Sequence, residues 1–296
     1  MAEIGRLLTA MVTPFDAGGK VDYEKAKKLA LALLKSGSDG LVVAGTTGES
    51  PTLTHEEKLR LFSEIRSVVD KPAAVIAGTG NNDTAESIRF TREVEETGVD
   101  AVLLVVPYYN RPTQEGLYLH FKSIADATKL PCILYNVPGR TVTSLAPETV
   151  VKLSQIPNII GIKEASANLE QIARIIDGAR KGFLVWSGND ADTLPIMAIG
   201  GYGVVAVASH LVGNQIKDMI NLVLAGRVTE AAIIHRKLLP LVNALFVIPN
   251  PMPIKYALGV VGFDVGKPRL PLTEPDEKSA GVIRSALRNC QIDLSI

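Results

Sequence analysis

The feature that most restricts the fold of this 296-residue chain is its rhythm. Eight short β-branched runs fall at residues 7–12, 40–44, 73–77, 101–106, 132–135, 159–163, 183–187 and 203–208. Charged stretches of helical periodicity separate them, and the repeat of roughly 25–35 residues is the size of one βα unit. Runs so continuously apolar belong to parallel sheets covered on both faces. Helical stretches lie at 22–36, 54–69, 84–97 and 168–179, and several open on capping residues. Thr54 before His55-Glu56-Glu57 forms a capping box, and Asp83 precedes another helical pattern. The pattern predicts an α/β chain, a (β/α)8 TIM barrel with a C-terminal helical extension. A doubly wound open sheet is the alternative, although it usually needs fewer strands. The barrel is expected over residues 1–226 and the extension over 227–296, where helical stretches at 228–246, 253–261 and 276–289 follow one another without a further strand.

Composition narrows the possible partners. Lys+Arg 31 balance Asp+Glu 31, and no basic arm or polybasic cluster interrupts that balance, so nothing marks a nucleic-acid or anionic-membrane partner. With 47% hydrophobic and 21% charged residues, the chain is ordinary globular material with length enough for one large core. Cys132 and Cys290 are too few for a disulfide framework or a thiolate metal site. The first residues lack the basic and then apolar pattern of a signal peptide. The apolar run at 197–211 is broken by glycines, Ser209 and His210 and is too short to span a bilayer. A cytoplasmic protein acting on a small substrate is expected.

In a barrel, residues just past the C-terminal ends of the strands share one catalytic face. The sixth run, Asn158-Ile-Ile-Gly-Ile-Lys-Glu-Ala-Ser166, ends in Lys163. An ammonium there is expensive to desolvate, which favours the neutral amine, a nucleophile able to condense with a ketone to a Schiff base. The competing reading turns Lys163 outward, paired with Glu164 or a helix carboxylate. After strand two, Gly45-Thr46-Thr47-Gly48-Glu49-Ser50 offers backbone N–H groups and two hydroxyls, suited to a small carboxylate; without a lysine it is no P-loop. The plain alternative is a βα turn whose glycines only satisfy backbone angles. After strand three comes Gly78-Thr79-Gly80-Asn81-Asn82, and after strand four Pro107-Tyr108-Tyr109-Asn110-Arg111-Pro112. After strand five comes Tyr135-Asn136-Val137-Pro138-Gly139-Arg140-Thr141. A phenol hydrogen-bonded to a hydroxyl can shuttle protons, and an arginine can clamp a carboxylate with two parallel bonds. Singly, such tyrosines are often packing residues and such an arginine a surface charge; the weight lies in their convergence on one mouth. His55, His120, His210 and His235 show no ligand spacing, and no oxygen-ligand loop is present. No metal and no organic cofactor is expected, which leaves covalent amine chemistry.

At this point the chain closely resembles the dihydrodipicolinate synthase family of Schiff-base-forming barrels. The resemblance runs from Thr13-Pro14 through GTTGES (45–50), IAGTG (76–80), PYYNRP (107–112), LYNVPGR (134–140), GIKEAS (161–166) and SGND (187–190) to NPMPIK (250–255). PYYNRP together with NVPGR looks specific to the synthase branch. The resemblance implies condensation of pyruvate with L-aspartate 4-semialdehyde, the first committed step towards diaminopimelate and lysine. It implies that Lys163 forms the imine and that Thr46 and Thr47 hold the pyruvate carboxylate. Tyr135 would carry protons, linked through Thr47 to Tyr109, whose counterpart in the family crosses from a neighbouring subunit. Arg140 would receive the semialdehyde carboxylate, with Gly188 and Val205 lining the pocket, in a homotetramer built from two tight dimers.

The resemblance also implies a lysine-inhibition site at Ser50, Pro51, His55, Lys58, Asn82, Glu86 and Tyr108, where Asn82 and Glu86 could hold the ligand's charged ends. Lysine-sensitive relatives often carry an uncharged residue where Lys58 stands and alanine where Pro51 stands. A fixed cation repels a cationic ligand and Pro51 stiffens the loop, so weakened inhibition is expected. Asn250, in the Pro-rich link 248–253, reads as structural. The same-fold rival is another pyruvate aldolase, such as N-acetylneuraminate lyase or a keto-sugar-acid aldolase; Arg140 and Tyr109 favour the synthase. A non-catalytic sensor barrel would be expected to lose the amine or its proton shuttle, and both are present.

Overall fold

The computed structural model describes residues 4–295. Eight parallel strands close on themselves, each paired with its neighbour in sequence and the first with the last. They are β1 (Leu7–Ala10), β2 (Gly40–Val43), β3 (Ala74–Gly78), β4 (Ala101–Val105), β5 (Cys132–Asn136), β6 (Ile159–Glu164), β7 (Leu184–Ser187) and β8 (Gly203–Ala206). The helices between them are α1 (Tyr23–Lys35), α2 (His55–Val68), α3 (Thr84–Val94), α4 (Gln114–Asp126), the short α5 (Pro138–Thr141), α6 (Pro147–Ser154), α7 (Leu169–Gly178) and α8 (Thr193–Ala198). After β8 come α9 (Ser209–Leu224), α10 (Val228–Ala244), α11 (Met252–Val260) and α12 (Glu277–Arg288). The (β/α)8 barrel and the helical C-terminal stretch are therefore as expected.

Local chemistry sets the element ends. The Thr54 hydroxyl accepts from Glu57 N while the Glu57 carboxylate accepts from Thr54 N, so α2 opens on a full capping box. Asp83 caps α3 through Ala85 N and Glu86 N. The eighth apolar run extends to 208, but its ladder stops at Ala206 because Val207 N and Ala208 N turn to the Asp190 carboxylate instead.

Alternation along the strands makes two cores. Leu41, Val75, Leu104, Leu134, Ile162 and Val204 face the helix ring. Leu8, Val42, Ile76, Leu103, Ile133, Trp186 and Val205 fill the barrel interior. Trp186 forms the interior floor, fully buried, with its indole N–H on Gly5 O at 3.0 Å. Gly161 leaves room for it: a Cβ there would lie 2.7 Å from the Trp186 ring and 2.3 Å from Leu184 O. Above this floor the interior positions turn polar, and the site begins.

Candidate active site

Register brings the chemistry of β5 and β6 together. Tyr135 pairs with Lys163 across the ladder and Lys163 with Trp186, so all three point into the barrel. Lys163 is 6% exposed, and its Nζ lies 4.3 Å from the centroid of the Tyr135 ring. Among the described residues no carboxylate comes within ion-pair distance of this amine and no acceptor takes a hydrogen bond from it, yet its nitrogen is not sealed from solvent. The outward reading of Lys163 fails because Glu164 points the other way, into the outer layer. Its carboxylate accepts from Asn136 Nδ2 at 3.1 Å and from Ser166 N at 2.8 Å, with burial pushing its pKa up.

The threonine turn stands at the exit of β2. Thr46 is half-buried and lines a cavity of about 440 Å³; Thr47 is buried. Ala44, Gly45, Leu103, Val105, Tyr135, Val137 and Arg140 share the walls of this cavity. Lys163 is not itself a wall; its amine lies one strand further, against the ring of Tyr135, which is. The Tyr135 hydroxyl has no hydrogen-bond partner among the described residues and is not sealed away. Thr47 Oγ1 is engaged by Asn250 Nδ2 at 2.8 Å, so a Tyr135–Thr47–Tyr109 relay is not closed within one chain. Tyr109 lies outside the mouth, 89% exposed at φ +75°.

Arg140 sits in α5, whose backbone bonds to Val137 turn the guanidinium over the cavity rim. Its Nη2 donates to Asn250 O at 3.0 Å. Asn250 thus holds two site residues at once, Thr47 with its side chain and Arg140 with its carbonyl. It is 5% exposed, and its Oδ1 is buried without a partner. The sequence signal for this was only an asparagine in a Pro-rich link, and the pairing spans 203 residues. Gly188 packs so close to β6 that a Cβ would lie 2.7 Å from Ala165 Cβ, and its N–H bonds Glu164 O at 2.7 Å. Val205, on β8, is buried in the interior layer.

SGND also carries a residue that strand-end reasoning passes over. Asp190 is buried, and its carboxylate accepts from Val207 N at 3.0 Å and Ala208 N at 3.1 Å. Burial pushes its pKa up, opposed by those amides and by the nearby Lys163 charge. It joins the exits of β7 and β8 beside the amine.

The residues expected to form a lysine site divide between two cavities. Ser50 and Lys58 line both, Pro51 and Tyr108 the larger, and His55 and Glu86 a smaller one of about 150 Å³ that also includes Asn81. Asn82 lines neither; its Nδ2 donates to Tyr108 O at 3.1 Å. Glu86 accepts from Arg89 Nη2 at 2.7 Å, and His55 contacts Glu93. Lys58 lines the same cavity, its Nζ 5.6 Å from the Phe90 ring centroid, and burial pushes its pKa down against the pull of Glu86.

Comparison with known proteins identifies the family. The model of the dihydrodipicolinate synthetase family matches residues 3–289. The chain is 64% identical over 296 residues, the full length of both, to a 4-hydroxy-tetrahydrodipicolinate synthase of Dehalococcoides mccartyi. A dihydrodipicolinate synthase structure from Bacillus anthracis superposes with a TM-score of 0.96 at 48% identity, covering 98% of this chain and 99% of that one. The enzyme from Cyanidioschyzon merolae with lysine bound gives 0.95 at 47%, covering 97% and 98%. With a family match across nearly the whole sequence and relatives this similar, the chain belongs to the dihydrodipicolinate synthetase family.

Proposed function

We propose that the chain condenses pyruvate with L-aspartate 4-semialdehyde to 4-hydroxy-tetrahydrodipicolinate, a lyase reaction run through an imine at Lys163. The observation that carries the reading is an inward, unpaired amine beside the Tyr135 ring at 4.3 Å. Nucleophilic attack needs a lone pair, and no ion pair has to be broken to provide it. Attack on the pyruvate carbonyl forms the C–N bond, and loss of water completes the imine. Removal of a methyl proton gives the enamine, which attacks the aldehyde carbon. The amino group of the semialdehyde then adds to the imine carbon, and the lysine leaves as the ring closes.

The roles follow from position. Thr46 and Thr47, with the N–H groups of their turn, hold the pyruvate carboxylate. Tyr135, with a free hydroxyl in the cavity, gives and takes protons. Arg140 receives the carboxylate of the second substrate at the rim, while Gly188 and Val205 shape the wall. Tyr109 completes the site of a second subunit. Support for that is an aromatic side chain held in the left-handed region and 89% exposed, a strained and unpartnered arrangement on one chain. The assembly we infer is a homotetramer of two tight dimers acting in the cytoplasm, a reducing setting consistent with free Cys132 and Cys290. The helical stretch from residue 227 onward acts as an appendix to the barrel, and the Ser50–Lys58–Glu86 region as a weakened lysine site.

A coupled assay with pyruvate and the semialdehyde tests the activity: turnover is expected, and a preference for hydroxylated sugar acids would favour the keto-sugar-acid aldolases instead. Arg140→Lys keeps the charge but loses the planar fork. It should raise KM for the semialdehyde about tenfold or more and leave pyruvate binding in place.

A further inference from the structure

Behind the threonine turn lies a second buried lysine. Lys255, on α11, and Glu49, at the end of the Gly45–Ser50 turn, form an ion pair at 2.8 Å with side chains 1% and 0% exposed. Lys255 Nζ also donates to Thr13 O at 3.1 Å and Lys267 O at 3.3 Å. The other Glu49 oxygen accepts from Arg269 N at 2.8 Å. Arg269 goes on to bond Thr52 O at 2.7 Å and the Glu57 carboxylate at 2.6 Å. All three Lys255 N–H donors and both Glu49 oxygens are thus engaged.

Glu49 is also a bent point of the backbone. It sits at φ +56°, a region that non-glycine residues visit at a cost. Its N–H bonds Thr46 O at 3.1 Å, and Thr13 Oγ1 donates to the adjoining Gly48 O at 2.7 Å. The residue whose side chain Lys255 and Arg269 N anchor is thus tied through its own N–H to the Thr46 carbonyl. Asn250, five residues before Lys255, grips Thr47 Oγ1 from the same C-terminal segment. A buried ion pair is poor value as a stabiliser, since apolar residues of like volume do as well or better. Its use here is geometric.

We propose that Glu49 and Lys255 form a positioning pair through which the C-terminal helices set the Thr46–Thr47 turn to receive the carboxylate of the 2-oxo acid. The proposal rests on Lys163 being the nucleophile that captures that acid, and neither Glu49 nor Lys255 touches substrate. Should the charge alone matter, the pair would affect folding; as a positioning device, it governs pyruvate affinity in folded enzyme.

The test compares wild type with the uncharged double variant Glu49→Gln/Lys255→Met and with Glu49→Asp, which keeps the charge but withdraws it by one methylene. Steady-state kinetics and borohydride trapping with subsaturating pyruvate are read beside denaturant midpoints. Wild type must first be trapped by pyruvate; failure there sinks the Lys163 reading and says nothing of the pair. Pyruvate KM is expected to rise between about ten- and a hundredfold in the double variant and severalfold in Glu49→Asp, with trapping slowed in proportion. KM for the semialdehyde should hold. Folded variants with wild-type pyruvate KM and trapping rate, whatever their midpoints, overturn the proposal. If the double variant does not fold, Glu49→Asp alone decides by the same criterion.

Discussion

Two buried amines divide the labour of this barrel. Lys255 lies 4.1 Å from the Phe15 ring centroid and Lys163 lies 4.3 Å from that of Tyr135, and both side chains are nearly enclosed. Lys255 has a carboxylate and two carbonyls. Lys163 has none of these among the described residues, and its nitrogen keeps contact with solvent. Burial pushes the Lys255 pKa down, and Glu49 opposes that push. The same residue type, at similar depth and over a similar ring, is thus a fixed strut in one place and an unspent nucleophile in the other. Satisfaction of the ammonium, rather than burial, separates structural from chemical lysine.

Substituting each amine by methionine, which keeps the volume, should break the two lysines apart. Lys163→Met is expected to lose turnover by at least about a thousandfold. Its denaturation midpoint should fall far less than that of Lys255→Met, because Lys163 has no ion pair and the nearby Asp190 carboxylate keeps the Val207 and Ala208 amides. Lys255→Met strands the Glu49 carboxylate in the interior and should lower stability by about 3–5 kcal/mol in urea titration. Equal stability losses at the two positions would erase the distinction.

A buried imidazole sharpens it. His210 is wholly buried, with Nδ1 on Val207 O at 2.8 Å and Nε2 accepting from Val12 N at 3.2 Å, an arrangement open only to the neutral ring. Burial takes its pKa from 6.5 down to about 4. The unfolded chain binds this proton below pH 6.5, whereas the folded chain declines it until about pH 4. Stability is therefore full above pH 6.5 and falls across that window, by on the order of 3 kcal/mol from this group. His120, also lowered to about 4, acts in the same direction. The buried carboxylates Glu164 and Asp190, raised by burial, act the other way. The fall is therefore read as the difference in urea midpoint between wild type and His210→Gln from pH 7 downward, and a flat difference would contradict it.

The smallest effect concerns a third amine. Lys58, half-buried above Phe90, lines the same small cavity as Ser50 and Glu86, the region proposed above as a weakened lysine site. Lys58→His should lower the lysine concentration for half-inhibition by about tenfold. Wild-type inhibition already at low micromolar lysine would contradict the blocking role.

Much of this was legible in the linear chain, for a physical reason. Strand and helix periodicity are local, so the eight runs and the Thr54 and Asp83 caps could be read from neighbours a few residues apart. The barrel rule then placed Lys163, Tyr135, Thr46 and Arg140 on one face because each lies at or just past the C-terminal end of a strand. Contacts made across long separations were hidden. Nothing local says that Asn250 reaches Thr47, that Lys255 pairs with Glu49 206 residues away, or that Asp190 secures the β8 exit. Glu164 misleads in sequence for the same reason: it neighbours Lys163 in the chain but faces Asn136 in space.

The most direct measurement is mass analysis after incubation of the protein with pyruvate and borohydride. One reduced pyruvate attached to the chain, mapped to Lys163 and missing from Lys163→Met, is the expected result. An unmodified chain, or an adduct on Lys255 or any other amine, would contradict the assignment of the unpaired lysine as the nucleophile.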